Sequence, residues 1–389
     1  MKTHKRTLAP DLDTLMPILV GAWRRMLKLS GPPDELQTRE FRTVVEAVKA
    51  LEARFADGKS LVGTDYLAHP QMLGAYLLYQ WVVHYQQGLS LLGELPITPK
   101  RVLDVCSGPA PFAMAALRHG AQEVIATDQN LRALHLGAEV CGRYGFPLTV
   151  RQWNCLREPL PVEGKFDLII VGHCLEELFP SEKKGWQDAQ QLFIDRLLAR
   201  LTPEGYLLIV DNSYTEANRR VLQLRDVLVG KGVPVQAPCV WRGECPALKV
   251  QNSPCYAQRE FEKPNLIKQI QRAASINLSS LKMSYVIFRH PSAGWPDTGD
   301  RNMYRVISPP VDAFSGKRFY LCGTDGKKQL SSHLQEHPPE ARAFEYLKRG
   351  ELISFTGALE QQNAIDIVQG TEVHVEAACG KPVPDRLST

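Results

Sequence analysis

The chain has 389 residues, enough for more than one domain, and a formal net charge of +4 at pH 7. Its 44% hydrophobic and 23% charged residues are typical of a globular protein with a sizeable core. This composition excludes a disordered or low-complexity chain. No run approaches the 18 apolar residues of a membrane-spanning helix, so we expect no membrane association.

The N-terminus, MKTHKRTLAPDLDTLMP, is basic for a few residues but lacks the apolar segment of a secretory signal. Asp11 and Asp13 argue against a transit peptide. We therefore expect a cytoplasmic monomer in a reducing compartment. There, clustered cysteines bind metal or perform redox chemistry more often than they form disulfides.

Residues 1–95 are predicted to be a helical N-terminal region. The segments APDLDTLMPILVGAWRRMLKL and LQTREFRTVVEAVKALEARF place apolar residues three and four positions apart, with charges opposite. A third helical run covers roughly 69–92. We interpret the region as a helical cap on the domain that follows.

Residues 96–230 alternate predicted strands and helices. The strands are RVLDV, EVIATD, LTVRQW, FDLIIVG and YLLIVDN, and the helices include FAMAALRHG, LRALHLGAEVCGRYG and QDAQQLFIDRLLARL, which ends at the turn TPEG. Such alternation predicts an α/β domain whose parallel sheet is covered by helices on both faces. Ligands of such sheets bind beyond the carboxyl ends of the strands.

Two features at these strand ends are typical of a nucleoside-cofactor site. The first strand runs into Asp104-Val-Cys106-Ser-Gly108-Pro-Ala110, where small residues let the backbone approach an anionic group at the start of a helix. The second strand ends at Asp128, 24 residues after Asp104, where a carboxylate can accept both ribose hydroxyls. Trp153-Asn154 follows the third strand, in a position to flank an adenine.

These features resemble the class I methyltransferases that bind S-adenosylmethionine, a Rossmann-like fold. Cys106 and Ala110 replace two glycines of the usual D-x-G-x-G-x-G loop, and LTPEGYLLIVDN occupies the expected place. The resemblance implies that S-adenosylmethionine is held by seven residues, Asp104, Cys106, Gly108, Ala110, Asp128, Asn154 and Gly172. The alternative is a methyltransferase fold kept as a scaffold.

Catalytic residues are not assigned. The N-P-P-[YF] motif of many amino-methylating enzymes is absent after the fourth strand, where the sequence reads VGHCLEELFP. His173 could act as a base and Cys174 as a nucleophile. We favour the interpretation that both line the pocket or pack beneath the next helix.

Three cysteines, Cys239, Cys245 and Cys255, lie in the turn-rich segment CVWRGECPALKVQNSPC. No histidine lies between them, and Cys322 in RFYLCGTDGKK is the candidate for a fourth ligand. Four thiolates suit structural zinc or an iron–sulfur cluster. The spacing differs from that of zinc ribbons, and by itself it is compatible with coincidence, zinc or a cluster.

The segment from Cys239 resembles the methyltransferase-like proteins of the mitochondrial small ribosomal subunit and their bacterial relatives. Members carry C-P-H-x-x-x-C-P, W-C-H-F-S-Q-R, a basic helix, a strand, R-P-P and a late cysteine before a glycine turn. This chain shows CVWRGECP, PCYAQREF, KPNLIKQIQRAASINLSSLKMSYVIFRH and RVISPPVDAFSGKRFYLCGTDGK. The similarity covers roughly residues 60–355.

This resemblance implies contact with ribosomal RNA and a role in small-subunit assembly or translation, with or without RNA methylation. It also implies a [4Fe-4S] cluster on Cys239, Cys245, Cys255 and Cys322, with zinc as the alternative metal. A eukaryotic source would place the protein in the mitochondrial matrix. The alternatives are a non-catalytic RNA-binding scaffold or redox sensor, and a small-molecule methyltransferase with structural zinc.

The charge distribution independently favours RNA. Residues 231–290 contain nine Lys and Arg against three Glu, a local excess of six positive charges, so the rest of the chain is negative. The predicted RNA contacts are Arg259, Lys263, Lys268 and Arg272. The four-cysteine module and last sheet strands are predicted to span 231–335, and a small β appendage 336–389.

Overall fold

The computed structural model describes residues 9–57, 66–251, 253–299, 301–313 and 316–385. The chain forms two compact units that are interleaved in sequence. The first unit comprises Met1–Leu92, Thr98–Leu208 and Glu260–Leu281, and the second unit comprises Gly93–Ile97, Ile209–Arg259 and Lys282–Thr389. No helix within the described ranges has the length and apolar character needed to cross a bilayer.

The first unit begins with the predicted helices. They are α1 (Leu12–Leu27), α2 (Thr38–Asp57), α3 (Pro70–Ala75) and α4 (Trp81–Leu92), with a π-helical turn, Tyr76–Gln80, joining α3 to α4. Residues 1–8 and 58–65 of the predicted helical region lie outside the described residues. Every residue of α4 is buried, including its polar ones, so this helix is an internal element rather than an amphipathic cap.

The first sheet contains eight strands, β1 (Arg101–Val105), β2 (Glu123–Asp128), β3 (Thr149–Gln152), β4 (Phe166–Gly172), β5 (Leu201–Asp211), β6 (Val235–Ala237), β7 (Ala257–Arg259) and β8 (Leu281–Arg289). Its order is β3-β2-β1-β4-β5-β8-β6, and β7 also pairs with β8. β1 pairs parallel with β2 and β4, whereas β6 pairs antiparallel with β8. This mixed sheet confirms the class I methyltransferase-like α/β fold and corrects the expectation of a wholly parallel sheet.

The helices that follow the strands are α5 (Pro111–His119), α6 (Leu131–Tyr144), α7 (Leu175–Leu178), α8 (Trp186–Leu198), α9 (Thr215–Gly230) and α10 (Asn265–Ala274). Local signals explain their ends. Asn130 caps α6 by accepting a hydrogen bond from the Ala133 N–H at 3.0 Å, and Gly145 ends the helix in the left-handed conformation. The predicted turn TPEG instead lies within β5, where the absence of a side chain at Gly205 allows close approach to the Phe166 carbonyl.

The second unit contains a second sheet. Its strands are β9 (Tyr304–Val306), β10 (Val311–Ala313), β11 (Gly316–Gly323), β12 (Gly326–Ser332), β13 (Leu352–Thr356), β14 (Leu359–Glu360), β15 (Ala364–Ile367) and β16 (Glu372–Ala377). The strand-like C-terminal segments are therefore strands. They share a sheet and a core with β9, β11 and β12, so this β structure starts before the predicted boundary at 336.

Candidate functional site

The loop after β1 has the backbone expected of a glycine-rich cofactor loop although two of its positions are not glycine. Cys106, Gly108 and Ala110 all adopt positive φ, at 55°, 54° and 64°. L residues with a side chain are strained there, by about 1–2 kcal/mol each. The loop thus keeps the shape of the glycine motif at a cost in stability.

Asp104 holds this loop from beneath. Its carboxylate accepts hydrogen bonds from the Ser107 hydroxyl at 2.7 Å and from the Ala113 N–H in α5 at 3.0 Å. Burial raises the pKa of Asp104 to about 7, although both hydrogen bonds favour the charged form. With 1% of its surface exposed, Asp104 shapes the site by anchoring the loop to α5.

Asp128 ends β2 beside the loop, as the sequence predicts. One carboxylate oxygen accepts from the Gly108 N–H at 2.9 Å, and the other accepts from the Asn130 N–H at 2.8 Å. The side chain is partly exposed. Asp128 therefore couples the loop after β1 to the end of β2, the position from which a carboxylate can reach ribose hydroxyls.

Asn154 and Gly172 complete the set of predicted cofactor residues. The segment leading to Asn154 is tied to β2, because the Trp153 N–H donates to the Asp128 carbonyl at 2.9 Å. Gly172 ends β4, and a Cβ there would lie 2.7 Å from the ring of Phe112. All seven predicted residues lie in the first unit, in or directly after β1, β2, β3 and β4.

A stacked pair of imidazoles flanks the end of β4. His173 has a left-handed backbone, at φ 54°, and its ring lies 3.9 Å from that of His84, at 9°. His173 Nε2 lies 2.9 Å from Gln87 Oε1, and His84 Nδ1 lies 2.8 Å from the Tyr76 hydroxyl. Burial lowers the pKa of His173 to about 3 and, with the nearby His173, lowers that of His84. Both rings are therefore neutral at neutral pH. A ring whose pKa is this low accepts a proton poorly, so His173 is better suited to line a site than to act as a general base.

The N-terminal helices contribute side chains that the sequence did not identify. The Trp81 indole N–H donates to the Pro109 carbonyl of the loop after β1 at 2.9 Å, and Leu67 lies against Gly108. His84, Gln87 and Tyr76 belong to the same helical segment. The segment YLLYQWVVHYQQG is too apolar for a surface helix. Its polar and aromatic residues were therefore a signal in the sequence for side chains that make contacts inside the protein.

The four cysteines predicted as metal ligands all lie in the second unit. Burial raises the pKa of Cys255 to about 12 and that of Cys245 to about 11, and the proximity of Cys239 adds to both shifts. Burial also raises the pKa of Cys322, as does the proximity of the other three cysteines. The thiols thus share a neighbourhood, but no three His, Cys, Asp or Glu side chains form a metal-holding group in the described part of the chain.

Two arginines near these thiols carry buried donors. Arg225 donates to the carbonyls of Trp241 and Gly243, and it pairs with Asp226 at 2.7 Å. Within the described residues, Nε of Arg225 and both Nε and Nη1 of Arg349 have no acceptor. Two positively charged side chains with unused hydrogen-bond donors therefore lie beside the cysteines.

The predicted RNA contacts differ in accessibility. Arg259 is buried, and its guanidinium pairs with Glu94 at 2.5 Å, so it has a structural role that explains its charge without RNA. Lys268 and Arg272 are exposed on α10, opposite its buried apolar face, and Lys263 is partly exposed just before the helix. A basic surface on this segment therefore consists of three of the four predicted residues.

A comparison with curated proteins found a relative over part of this chain. A Geobacter sulfurreducens ribosomal protein L11 methyltransferase is 33% identical over 93 residues, which is 24% of this chain. The chain spans 28% of that relative's length. Among solved structures, N-methyltransferase NodS from Bradyrhizobium japonicum, with S-adenosyl-L-homocysteine, is 15% identical with a TM-score of 0.35, covering 63% of this chain and 98% of NodS.

The plantazolicin methyltransferase BamL is 13% identical with a TM-score of 0.37, covering 64% of this chain and 99% of BamL. A family model described as mitochondrial small ribosomal subunit Rsm22 matches residues 75–340, more than half of the chain. That match includes the loop after β1, the four cysteines and α10. The chain therefore belongs to the mitochondrial small ribosomal subunit Rsm22 family.

Proposed function

We propose that this chain is a ribosome-associated, methyltransferase-like protein that binds S-adenosylmethionine and ribosomal RNA and aids assembly of the small subunit. The observation that carries the cofactor proposal is the hydrogen bond from the Gly108 N–H to Asp128 at 2.9 Å. It supports a nucleoside site because the Asp128 carboxylate lies beside a loop whose backbone resembles the glycine motif. Family membership supports the ribosomal part.

The residues of the first unit have distinct roles in this proposal. Asp128 would accept the ribose hydroxyls, Asn154 would flank the adenine, and the loop after β1 would let the amino-acid part of the cofactor approach the backbone closely. Bound S-adenosylmethionine would supply an electrophilic methyl group. The neutral imidazoles of His84 and His173 would exclude water and offer hydrogen bonds to an acceptor without carrying charge.

Isothermal titration of S-adenosylmethionine tests the cofactor site. Asp128→Ala removes a charged acceptor worth about 1.5–3 kcal/mol per hydrogen bond, so affinity should fall at least tenfold. Asp188→Ala, which removes an exposed carboxylate from α8, is the matched control and should bind like wild type. Equal affinity of Asp128→Ala and wild type would refute the assignment.

The second unit would hold a [4Fe-4S] cluster on Cys239, Cys245, Cys255 and Cys322. The fit is supported by four neighbouring soft thiols and by the buried donors of Arg225 and Arg349, which would offset the negative charge of a thiolate-ligated cluster. The side chains would need to close around it, since they do not form a ligand set as they stand. A cluster would brace the segment 239–255 and make it sensitive to oxidation.

Iron and acid-labile sulfide analysis of anaerobically purified protein tests this proposal. We expect about four irons and four sulfides per chain in wild type, lost in Cys255→Ser and retained in Cys141→Ser, which changes a buried cysteine of the first unit. One zinc per chain and a colourless protein would show that the cysteines hold structural zinc and not a cluster. A protein without bound metal would exclude both metal sites.

RNA contact is proposed for Lys263, Lys268 and Arg272. Small-subunit RNA should bind less tightly to a Lys268→Ala/Arg272→Ala variant. The slope of log K against the logarithm of salt concentration should decrease in magnitude by about two. The control is Lys183→Ala/Lys184→Ala, which removes two exposed cations before α8. An unchanged salt slope in the α10 variant would exclude this helix from the RNA interface.

A non-catalytic assembly factor is the second candidate function. It is favoured by Cys106 and Ala110, whose side chains occupy the left-handed positions where glycines usually leave room for the cofactor. In that case wild type would bind RNA but give no heat with S-adenosylmethionine. RNA binding would then be unaffected by Asp128→Ala.

A further inference from the structure

The second sheet forms a ring of five strands. β9 pairs antiparallel with β11, β11 antiparallel with β12, and β12 parallel with β15. β15 pairs antiparallel with β14, and β13 pairs antiparallel with β9. Gly357 and Ala358 alone separate β13 from β14, so these two make one bent strand that connects both ends of the ring.

Two further features fit a closed barrel. Gly357 adopts φ 72° at the bend, and a Cβ there would lie 2.9 Å from the Gly370 carbonyl, so the corner requires glycine. A short helix, Arg342–Tyr346, lies between the third and fourth ring strands, and its Phe344 packs edge-on against Phe319 in the core at 5.4 Å. A Greek-key ring with this strand order, one parallel pair and a helix at this point is an OB-fold.

OB-folds bind oligonucleotides or oligosaccharides on the outer face of their second and third strands, here β11 and β12. A fold does not establish a function, so the residues on that face must decide. Phe319, Leu321 and Leu330 point into the core, and the alternate positions on the other face are partly exposed: Arg318, Tyr320 and Cys322 on β11, Lys327, Gln329 and Ser331 on β12.

Tyr320 lies at the centre of this outer face. It is directly opposite Gln329 in the register, and Lys327 Nζ lies 5.0 Å from its ring centroid. An aromatic ring flanked by cations and an amide is the combination that stacks and holds unpaired bases. The face therefore offers a stacking platform, phosphate contacts and a hydrogen-bonding side chain together.

The distribution of charge on the barrel distinguishes between an oligonucleotide and an oligosaccharide as the ligand. Residues 316–332, which contain β11 and β12, have four Lys and Arg against one Asp. Elsewhere between 302 and 377 there are four Lys and Arg against nine Asp and Glu. Two of the four cations, Arg318 and Lys327, lie on the outer face, whereas Lys328 is buried and pairs with Asp325. The outer face of β11 and β12 thus carries two positive charges and no acidic residue on an otherwise acidic barrel, which favours a polyanion over a neutral saccharide.

From this juxtaposition we infer that the barrel formed by β9 and β11–β15 is a second RNA-binding site, which takes single-stranded RNA across Tyr320, Arg318 and Lys327. This site is separate in sequence from α10 and from the cofactor residues. It gives the C-terminal part of the chain a ligand of its own.

Fluorescence anisotropy with the full-length protein and a labelled single-stranded RNA of about 12 nucleotides tests the inference. Tyr320→Ala should weaken binding about tenfold, and Tyr320→Phe, which keeps the ring, should bind like wild type. Tyr346→Ala removes a tyrosine that is 68% exposed elsewhere on the barrel and is the matched control. Circular dichroism of each variant would establish that the barrel is folded.

Wild-type affinity in folded Tyr320→Ala would overturn the inference, as would equal loss in Tyr346→Ala. A loss confined to Lys268→Ala/Arg272→Ala would leave the proposed RNA contact of α10 standing and remove the barrel site. A loss confined to Tyr320→Ala would support the barrel site and exclude α10 from the contact with this RNA. Competition by a neutral oligosaccharide, but not by unlabelled RNA, would also refute it.

Discussion

Asp104→Asn should abolish a pH dependence of stability that the wild type shows between about pH 5 and pH 7. The carboxyl group is 1% exposed, and burial raises its pKa to about 7. Its hydrogen bonds from Ser107 and Ala113 go to one oxygen, Oδ2, so an amide oxygen can accept both. The substitution therefore removes the ionisation and keeps the geometry.

The sign and size follow from the two pKa values. In the unfolded chain the carboxyl titrates near its usual value of about 4, so between the two values the folded state holds a proton that the unfolded state has lost. The free energy of unfolding therefore falls as pH rises in this window. At about 1.4 kcal/mol per pH unit, the wild type loses about 2–3 kcal/mol between pH 5 and pH 7 through this group.

Urea unfolding of both proteins at several pH values, followed by tryptophan fluorescence, measures the difference. The advantage of Asp104→Asn should grow from pH 5 to pH 7 and level off above it. Asp188→Asn, at an exposed position, should follow the wild type at every pH. A difference that does not depend on pH, or that shrinks as pH rises, would show that Asp104 is ionised throughout and refute the reasoning.

Three other substitutions test packing and strain. Cys106→Gly should raise the free energy of unfolding by about 1 kcal/mol, because glycine tolerates φ 55°; no gain in urea would contradict the strain. Gly172→Ala should lower it by about 1–3 kcal/mol through contact with Phe112, and an unchanged melting temperature would disagree. Glu94→Gln should lower the free energy of unfolding by about 3 kcal/mol, because it leaves Arg259 buried without its counter-charge. Adding Arg259→Met in a double-mutant cycle should restore part of that stability.

The elements that the sequence predicted well are those set by local pattern. The buried apolar runs of β1, β2 and β4 and the amphipathic α6 follow from short-range periodicity. The spacing of Asp128 from the loop follows from the length of one βα unit, which the strand–helix–strand geometry fixes. These features needed no knowledge of distant contacts.

The features that escaped prediction depend on pairs far apart in the chain. His84 and His173 stack although 89 positions separate them, and Glu94 pairs with Arg259 across 165 positions. Arg259 looked like an RNA contact because its sequence neighbours are basic, whereas its partner lies in another segment. The barrel was equally hidden, because the parallel pairing of β12 with β15 leaves no local pattern.

The four cysteines combine both situations. The segment 239–255 is tied to α9, where Asp226 accepts from the Cys245 N–H at 2.9 Å and Arg225 donates to the Trp241 carbonyl. Cys322, by contrast, lies on β11, two positions from Tyr320 and on the same face. A ligand held by all four thiols would therefore join this segment to the barrel strand that carries the inferred RNA platform. Loss of that ligand should then loosen β11 and the segment 239–255 together, while the parallel strands β1–β4 of the first unit, which share none of these contacts, keep their stability.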